Sequence, residues 1–124
     1  MDNHHPEPQW TCGELTLHLY SKTASVKKQP VFLTPLEFKL LHYLFIHRQR
    51  PVPAEELLEH MWEHSDGGTA NQVMCCIRRL RQKLAVDEDT PQYIHTLRGF
   101  GYRLCEPEGL PPTGVNEAEG AIDR

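Results

Sequence analysis

The densest run of side chains able to do chemistry lies between Asn71 and Leu84, where Arg78, Arg79, Arg81 and Lys83 stand with no acid among them. At 100° per residue, Val73, Ile77, Leu80 and Leu84 fall on one narrow arc of a helix, which faces a core. Asn71, Cys75, Arg78, Arg79 and Gln82 lie opposite. Arg81 and Lys83 flank the apolar arc, where their stems can pack and their heads reach outward. Arginine can bond guanine bidentately, and Asn or Gln can bond adenine, so the outward face suits base edges in double-stranded DNA. A helix of this length fits the major groove. A further basic residue, Arg98, opens Arg98-Gly99-Phe100-Gly101, which reads as a hairpin tip. Such a tip beside the helix can reach a minor groove or the backbone. The competing reading is a solvated basic face on a module that binds protein, with weak or no DNA binding.

The whole chain of 124 residues has a formal net charge of −4, which argues against DNA. The distribution reverses that argument. Acids gather in Glu55–Asp66, in Asp87–Asp89 and from Glu106 onward, away from the basic run. Screening makes close charges count most, so a local basic stripe still attracts phosphate. The cysteines, Cys12, Cys75, Cys76 and Cys105, make no disulfide scaffold; bonding neighbours would demand a strained ring, and free thiols suit a reducing compartment. His60 and His64 stand four apart and could face one ion with Cys75 and Cys76. The histidines are scattered, however, and no C-x-x-C pair is present, so neither metal nor cofactor is expected. No nucleophile elbow, phosphate-binding glycine loop or paired carboxylates point to an enzyme. No apolar run approaches the ~20 residues of a membrane span, and residues 1–10 do not read as a signal peptide. The expected compartment is the cytoplasm.

The surrounding pattern supplies elements to position these residues. Residues 1–11 read as disordered, 12–104 as one domain and 105–124 as a flexible acidic, proline-rich tail. Leu15, Leu17 and Leu19 alternate with polar neighbours, which predicts a strand. Ala24–Lys28 and Pro30–Leu33 predict two more. Thr34-Pro35-Leu36-Glu37 is a capping box with proline at the first helical position, opening a helix to about His47. Pro51-Val52-Pro53 is a short extended break. A second helix, Ala54 to Trp62, carries the apolar stripe Leu57, Leu58, Met61 and Trp62. Thr69 and Gln72 form a second capping box at the head of the basic helix. Tyr93–Leu97 and Tyr102–Leu104 predict a terminal hairpin, and Tyr102 is expected to pack inward. The class is α+β, a winged helix-turn-helix with an N-terminal antiparallel sheet, three helices and a C-terminal wing.

Combined, Leu33-Thr34-Pro35-Leu36-Glu37-Phe38, Leu57-Leu58, Trp62, Ile77-Arg78-Arg79-Leu80-Arg81-Gln82-Lys83-Leu84 and Tyr93-Ile94-His95-Thr96-Leu97-Arg98-Gly99-Phe100-Gly101-Tyr102 resemble the effector domain of OmpR/PhoB-type response regulators. The resemblance implies transcription regulation in a two-component system, with helix 69–84 in the major groove and wing 93–104 at the minor groove. It places Arg78, Arg79 and Arg81 at bases and phosphates, and Thr96 and Arg98 at the backbone and minor groove. It also places loop 63–68 where relatives meet RNA polymerase, and implies head-to-tail dimers on direct repeats. The start of the helix departs from the family. Where relatives read much like Arg-Thr-Val-Asp-Val-His-Ile, this chain has Asn71-Gln72-Val73-Met74-Cys75-Cys76-Ile77. Every phosphate that goes without a partner there would lower affinity and flatten the salt slope by ~0.9. No phosphoacceptor aspartate with acidic partners is visible, so aspartyl phosphorylation is not assigned to these residues.

Overall fold

The computed structural model describes residues 8–61 and 69–104. Trp62, loop 63–68, His64, Cys105 and the tail named above lie outside the described residues. The element order is β1 (Gln9–Cys12), β2 (Leu15–His18), β3 (Thr23–Val26), β4 (Gln29–Val31), α1 (Pro35–Ile46), α2 (Ala54–Met61), α3 (Ala70–Leu84), β5 (Ile94–Leu97) and β6 (Gly101–Leu104). The first four strands form an antiparallel sheet in sequential order, and β5 and β6 form a separate hairpin.

Strand β1 corrects the expectation of disorder at Gln9, Trp10 and Thr11; residues 1–7 lie outside the described residues. Gln9, Trp10 and Thr11 pair with His18, Leu17 and Thr16. The indole of Trp10 meets the rings of His42 and Phe45, with centroids 5.4 and 5.8 Å away. Gln9-Trp10-Thr11-Cys12 offers just two apolar positions directly after a proline, and its pairing and this aromatic contact define the strand. Leu15 and Leu17 alternate inward as expected, but the strand ends at His18, leaving Tyr20 exposed.

The helices begin where the capping chemistry places them. Thr34 Oγ1 accepts from the Glu37 amide at 3.2 Å, and Glu37 Oε1 accepts from the Thr34 amide at 2.9 Å. Thr69 and Gln72 repeat the arrangement at 3.2 and 2.9 Å. Leu40, Leu41, Leu44 and Phe45 of α1, Leu57 and Met61 of α2, and Val73, Ile77, Leu80 and Leu84 of α3 meet in one core. Burial of each such side chain contributes about 1.5–3 kcal/mol. Glu56 ties α2 to the end of α1 by accepting from the Tyr43 hydroxyl and the Arg50 guanidinium. Those two donors, Arg50 foremost, hold its carboxyl down at about 2.

Val52 extends the hairpin into a third, one-residue rung. Its amide donates to the Tyr102 carbonyl at 2.7 Å, and the Tyr102 amide donates back at 2.9 Å. Gly101 makes this approach possible: its φ is 129°, and a Cβ there would collide with the Val52 carbonyl. Tyr102 packs partly against the core, as its place in the strand suggested, while Phe100 stands exposed at the tip.

Among the described residues, Glu37 is the buried charged side chain, 2% exposed. Its partner is Lys83 Nζ at 2.6 Å, from the last turn of α3. Lys83 also donates to the Phe32 carbonyl at 3.0 Å. Burial pushes the Glu37 carboxyl upward; bonds from Lys83 and Thr34 outweigh it and leave the group below its ordinary value. A carboxyl lowered on folding contributes stability above its unfolded value of about 4.3 and loses it as pH falls through the folded value.

Two outcomes follow from these interactions. Glu37→Gln keeps the shape but leaves the Lys83 ammonium without its carboxylate, and should cost about 1–3 kcal/mol in urea unfolding at pH 7. The gap between the two proteins should narrow as pH drops below about 4. A pH-independent gap would show that the charge contributes nothing. Gly101→Ala should cost about 2–4 kcal/mol, through backbone strain and disruption of the Val52 rung. An unchanged melting temperature would contradict the close approach.

Candidate nucleic-acid interface

Helix α3 carries the candidate surface, and its two faces separate cleanly. Val73, Cys76, Ile77, Leu80 and Leu84 are buried. Asn71, Cys75, Arg78, Arg79 and Gln82 are all exposed, as the wheel predicts. Behind the Thr69 cap, Ala70, Asn71 and Gln72 of the first turn of α3 are exposed, so the stripe begins at Asn71.

The basic residues of α3 divide by role. Arg78 and Arg79 project outward. Arg81 turns toward the hairpin: its Nε donates to the Ile94 carbonyl at 3.1 Å, and its Nη2 to Thr96 Oγ1 at 2.8 Å. Lys83 turns the other way, into the pair with Glu37. Two of the four basic side chains in the run therefore also hold the framework, one on each flank. Spacing alone places both at the edge of the core but does not name their partners.

The hairpin β5–β6 stands beside α3 through the Arg81 bond. Arg98 lies at its tip, exposed, next to Gly99 (φ 85°) and Phe100. An open groove separates this tip from the start of α2, lined by Pro53, Ala54, Glu55, Thr96, Arg98 and Phe100. Of the residues singled out in the sequence, Arg81 and Thr96 are brought into direct contact. Asn71, Cys75, Arg78, Arg79 and Gln82 share one face, and Arg98 stands apart on the wing.

Three residues read differently in three dimensions. Cys76, compared above with a polar residue of relatives, is 5% exposed. Burial, and then the nearby Glu37 charge, pushes its thiol up to about 11, so it packs as a small apolar residue. Met74, to which the wheel gives no role, is 54% exposed. Its exposure follows from lying outside the Val73–Ile77–Leu80 arc, a signal present in the sequence. His60 packs against Tyr43, with ring centroids 4.2 Å apart. Among the described residues no group of His, Cys, Asp or Glu could hold a metal ion, and no helix is long and apolar enough to cross a membrane.

Comparison with known proteins agrees with this architecture. The family model described as "Transcriptional regulatory protein, C terminal" matches residues 28–104. The DNA-binding domain of Escherichia coli CadC is 29% identical with a TM-score of 0.73, over 83% of this chain and 96% of that one. The Klebsiella pneumoniae RstA DNA-binding domain, solved with the RstA box, is 26% identical with a TM-score of 0.64, over 78% and 96%. Thermotoga maritima DrrB, an OmpR/PhoB homologue, is 28% identical with a TM-score of 0.69; the match covers 79% of this chain and 44% of DrrB. With a family match over most of its length, a winged-helix architecture and the capped basic helix in place, this chain belongs to the C-terminal domain family of OmpR/PhoB-type transcriptional regulatory proteins.

Proposed function

We propose that this domain binds double-stranded DNA sequence-specifically as part of a transcriptional regulator, with α3 in the major groove and the β5–β6 wing at the neighbouring minor groove. The carrying observation is the exposed stripe of α3, in which Asn71, Cys75, Arg78, Arg79 and Gln82 face solvent together while Val73, Ile77 and Leu80 are buried beneath. Arg78 and Arg79 supply guanidiniums for guanine edges or phosphates, and Asn71 and Gln82 supply amides for adenine. Arg98 supplies a cation at the wing tip.

Arg81 and Thr96 have a double assignment in this reading. Their mutual bond sets the distance between recognition helix and wing, so that one domain can span adjacent grooves. Arg81 offers its remaining guanidinium hydrogens, and exposed Thr96 its hydroxyl, to a backbone phosphate. The RstA domain, similar in fold, was solved on its own DNA box, which supports the same docking here.

Arg79→Ala should weaken binding to a selected duplex by about 1–3 kcal/mol and relax preference at one position. Arg98→Ala should weaken binding evenly across sequences and reduce the salt slope by about 0.9. Fluorescence anisotropy over a salt series, on sites chosen from a random pool, reads both. If neither variant changes affinity, or wild type shows no salt-sensitive binding, a protein-binding module replaces the DNA reading. Arg81→Ala should lower thermal stability and affinity together, because it frees the wing as well as removing charge. A variant that binds more weakly with an unchanged melting temperature would assign Arg81 to DNA contact alone.

A further inference from the structure

The recognition stripe of α3 has an apolar interruption that the proposed contacts leave unused. Positions 71, 74, 75 and 78 are spaced i, i+3, i+4 and i+7, which places them as neighbours on one helical surface. All four are exposed. Asn71 and Arg78 at the ends carry strong donors, whereas Met74 and Cys75 between them carry a thioether and a free thiol. Sulfur in either form is at best a weak hydrogen-bonding group. Met74 is 54% exposed and outside the core arc, so packing among the described residues does not account for its side chain.

We propose that Met74 and Cys75 form a specificity-determining apolar patch that reads the 5-methyl group of thymine. The inference rests on the DNA reading above. In the major groove each base pair shows a distinct edge, and the thymine C5-methyl is the apolar feature among donors and acceptors. A cytosine amino group pressed against a thioether would surrender water without gaining a partner, which is costly. A thymine methyl in the same place exchanges hydration for sulfur and methylene contacts, which is favourable. The patch therefore selects thymine both by attraction and by excluding polar edges. Flanked by Asn71 and Arg78, it predicts a half-site in which a methyl-read thymine lies between positions set by amide and guanidinium contacts.

Replacing thymine by deoxyuridine removes the methyl and leaves the hydrogen-bonding edge intact. In a site selected from random duplexes, deoxyuridine placed at each thymine in turn should weaken wild-type binding roughly three- to fivefold at one or two positions, the worth of one buried methyl. Met74→Ala should abolish that penalty at one of them, with unchanged helicity and melting temperature. Cys75→Ser should reduce the penalty at the same or the adjacent thymine. Arg79→Ala should bind more weakly but keep the full deoxyuridine penalty, which separates methyl reading from a general fall in affinity. Tight wild-type binding with no deoxyuridine effect, or the same penalty in Met74→Ala as in wild type, overturns the methyl reading and leaves the DNA reading standing. Absence of salt-sensitive binding to any duplex overturns both. Concentration-dependent self-association that Met74→Ala removes, without any effect on DNA, would instead make the patch a protein contact and overturn the proposal.

Discussion

The buried Glu37 carboxylate is the constraint on which the arrangement of helices depends. It closes the Thr34 cap at the start of α1 and meets the Lys83 ammonium from the end of α3. Lys83 in turn reaches the Phe32 carbonyl, just before α1. One charged cluster therefore joins the exit of the first sheet, the first helix and the recognition helix. A buried carboxylate is costly unless its lone pairs are used, and here backbone, threonine and lysine use them. Apolar packing brings the helices together without strong directional demand; this cluster specifies where the end of α3 sits against α1.

The opposite flank of α3 is held by Arg81. Its bonds to Ile94 and Thr96 attach the wing, and the Val52–Tyr102 rung attaches that wing to the connection between α1 and α2. Arg103 adds a bond from its Nε to the Arg48 carbonyl at 3.1 Å. At the first sheet, the Glu14 amide donates to the hydroxyl of buried Tyr93 at 3.3 Å, and Lys27 pairs with Asp87 at 3.0 Å. The recognition helix is thus fixed at both edges while its outward stripe makes no framework demands. A rigid platform of this kind lowers the ordering cost of binding.

Charge is distributed unevenly across the chain. The net value is −4, yet the outward arc of α3 bears no acid. Screening at physiological salt weakens charges more than about 8 Å away, so the acids outside this arc act on a docked phosphate only where they lie close, as Glu55 does in the groove beside Arg98. Within α3, moreover, Lys83 is largely neutralised by Glu37, whereas Arg81 bonds only neutral groups of the wing, so the positive footprint rests on Arg78, Arg79 and Arg81 with Arg98 on the wing. A footprint that small lets shape and base-edge chemistry weigh more heavily in selecting a site.

Much of this was legible in residue order because it depends on local rules. The capping boxes at Thr34 and Thr69 are short-range hydrogen-bond patterns, and the structure contains both. The buried arc of α3 follows from 3.6 residues per turn, and so does the exposed stripe. Strand β1 was missed because its two apolar positions follow a polar, proline-containing stretch, and it is defined by partners in β2 and by the packing of Trp10 on α1. Cys76 looked like an altered polar contact, and only its depth beside Glu37 made it a core residue. The sequence by itself therefore determined which residues face out along α3. The tertiary structure decided that Arg81 and Lys83 double as the bolts of the recognition helix. The physical reason is range: helical periodicity places a side chain on a flank, but its partner there arrives from 15 residues away for Arg81 and 46 for Lys83, where no local pattern reaches.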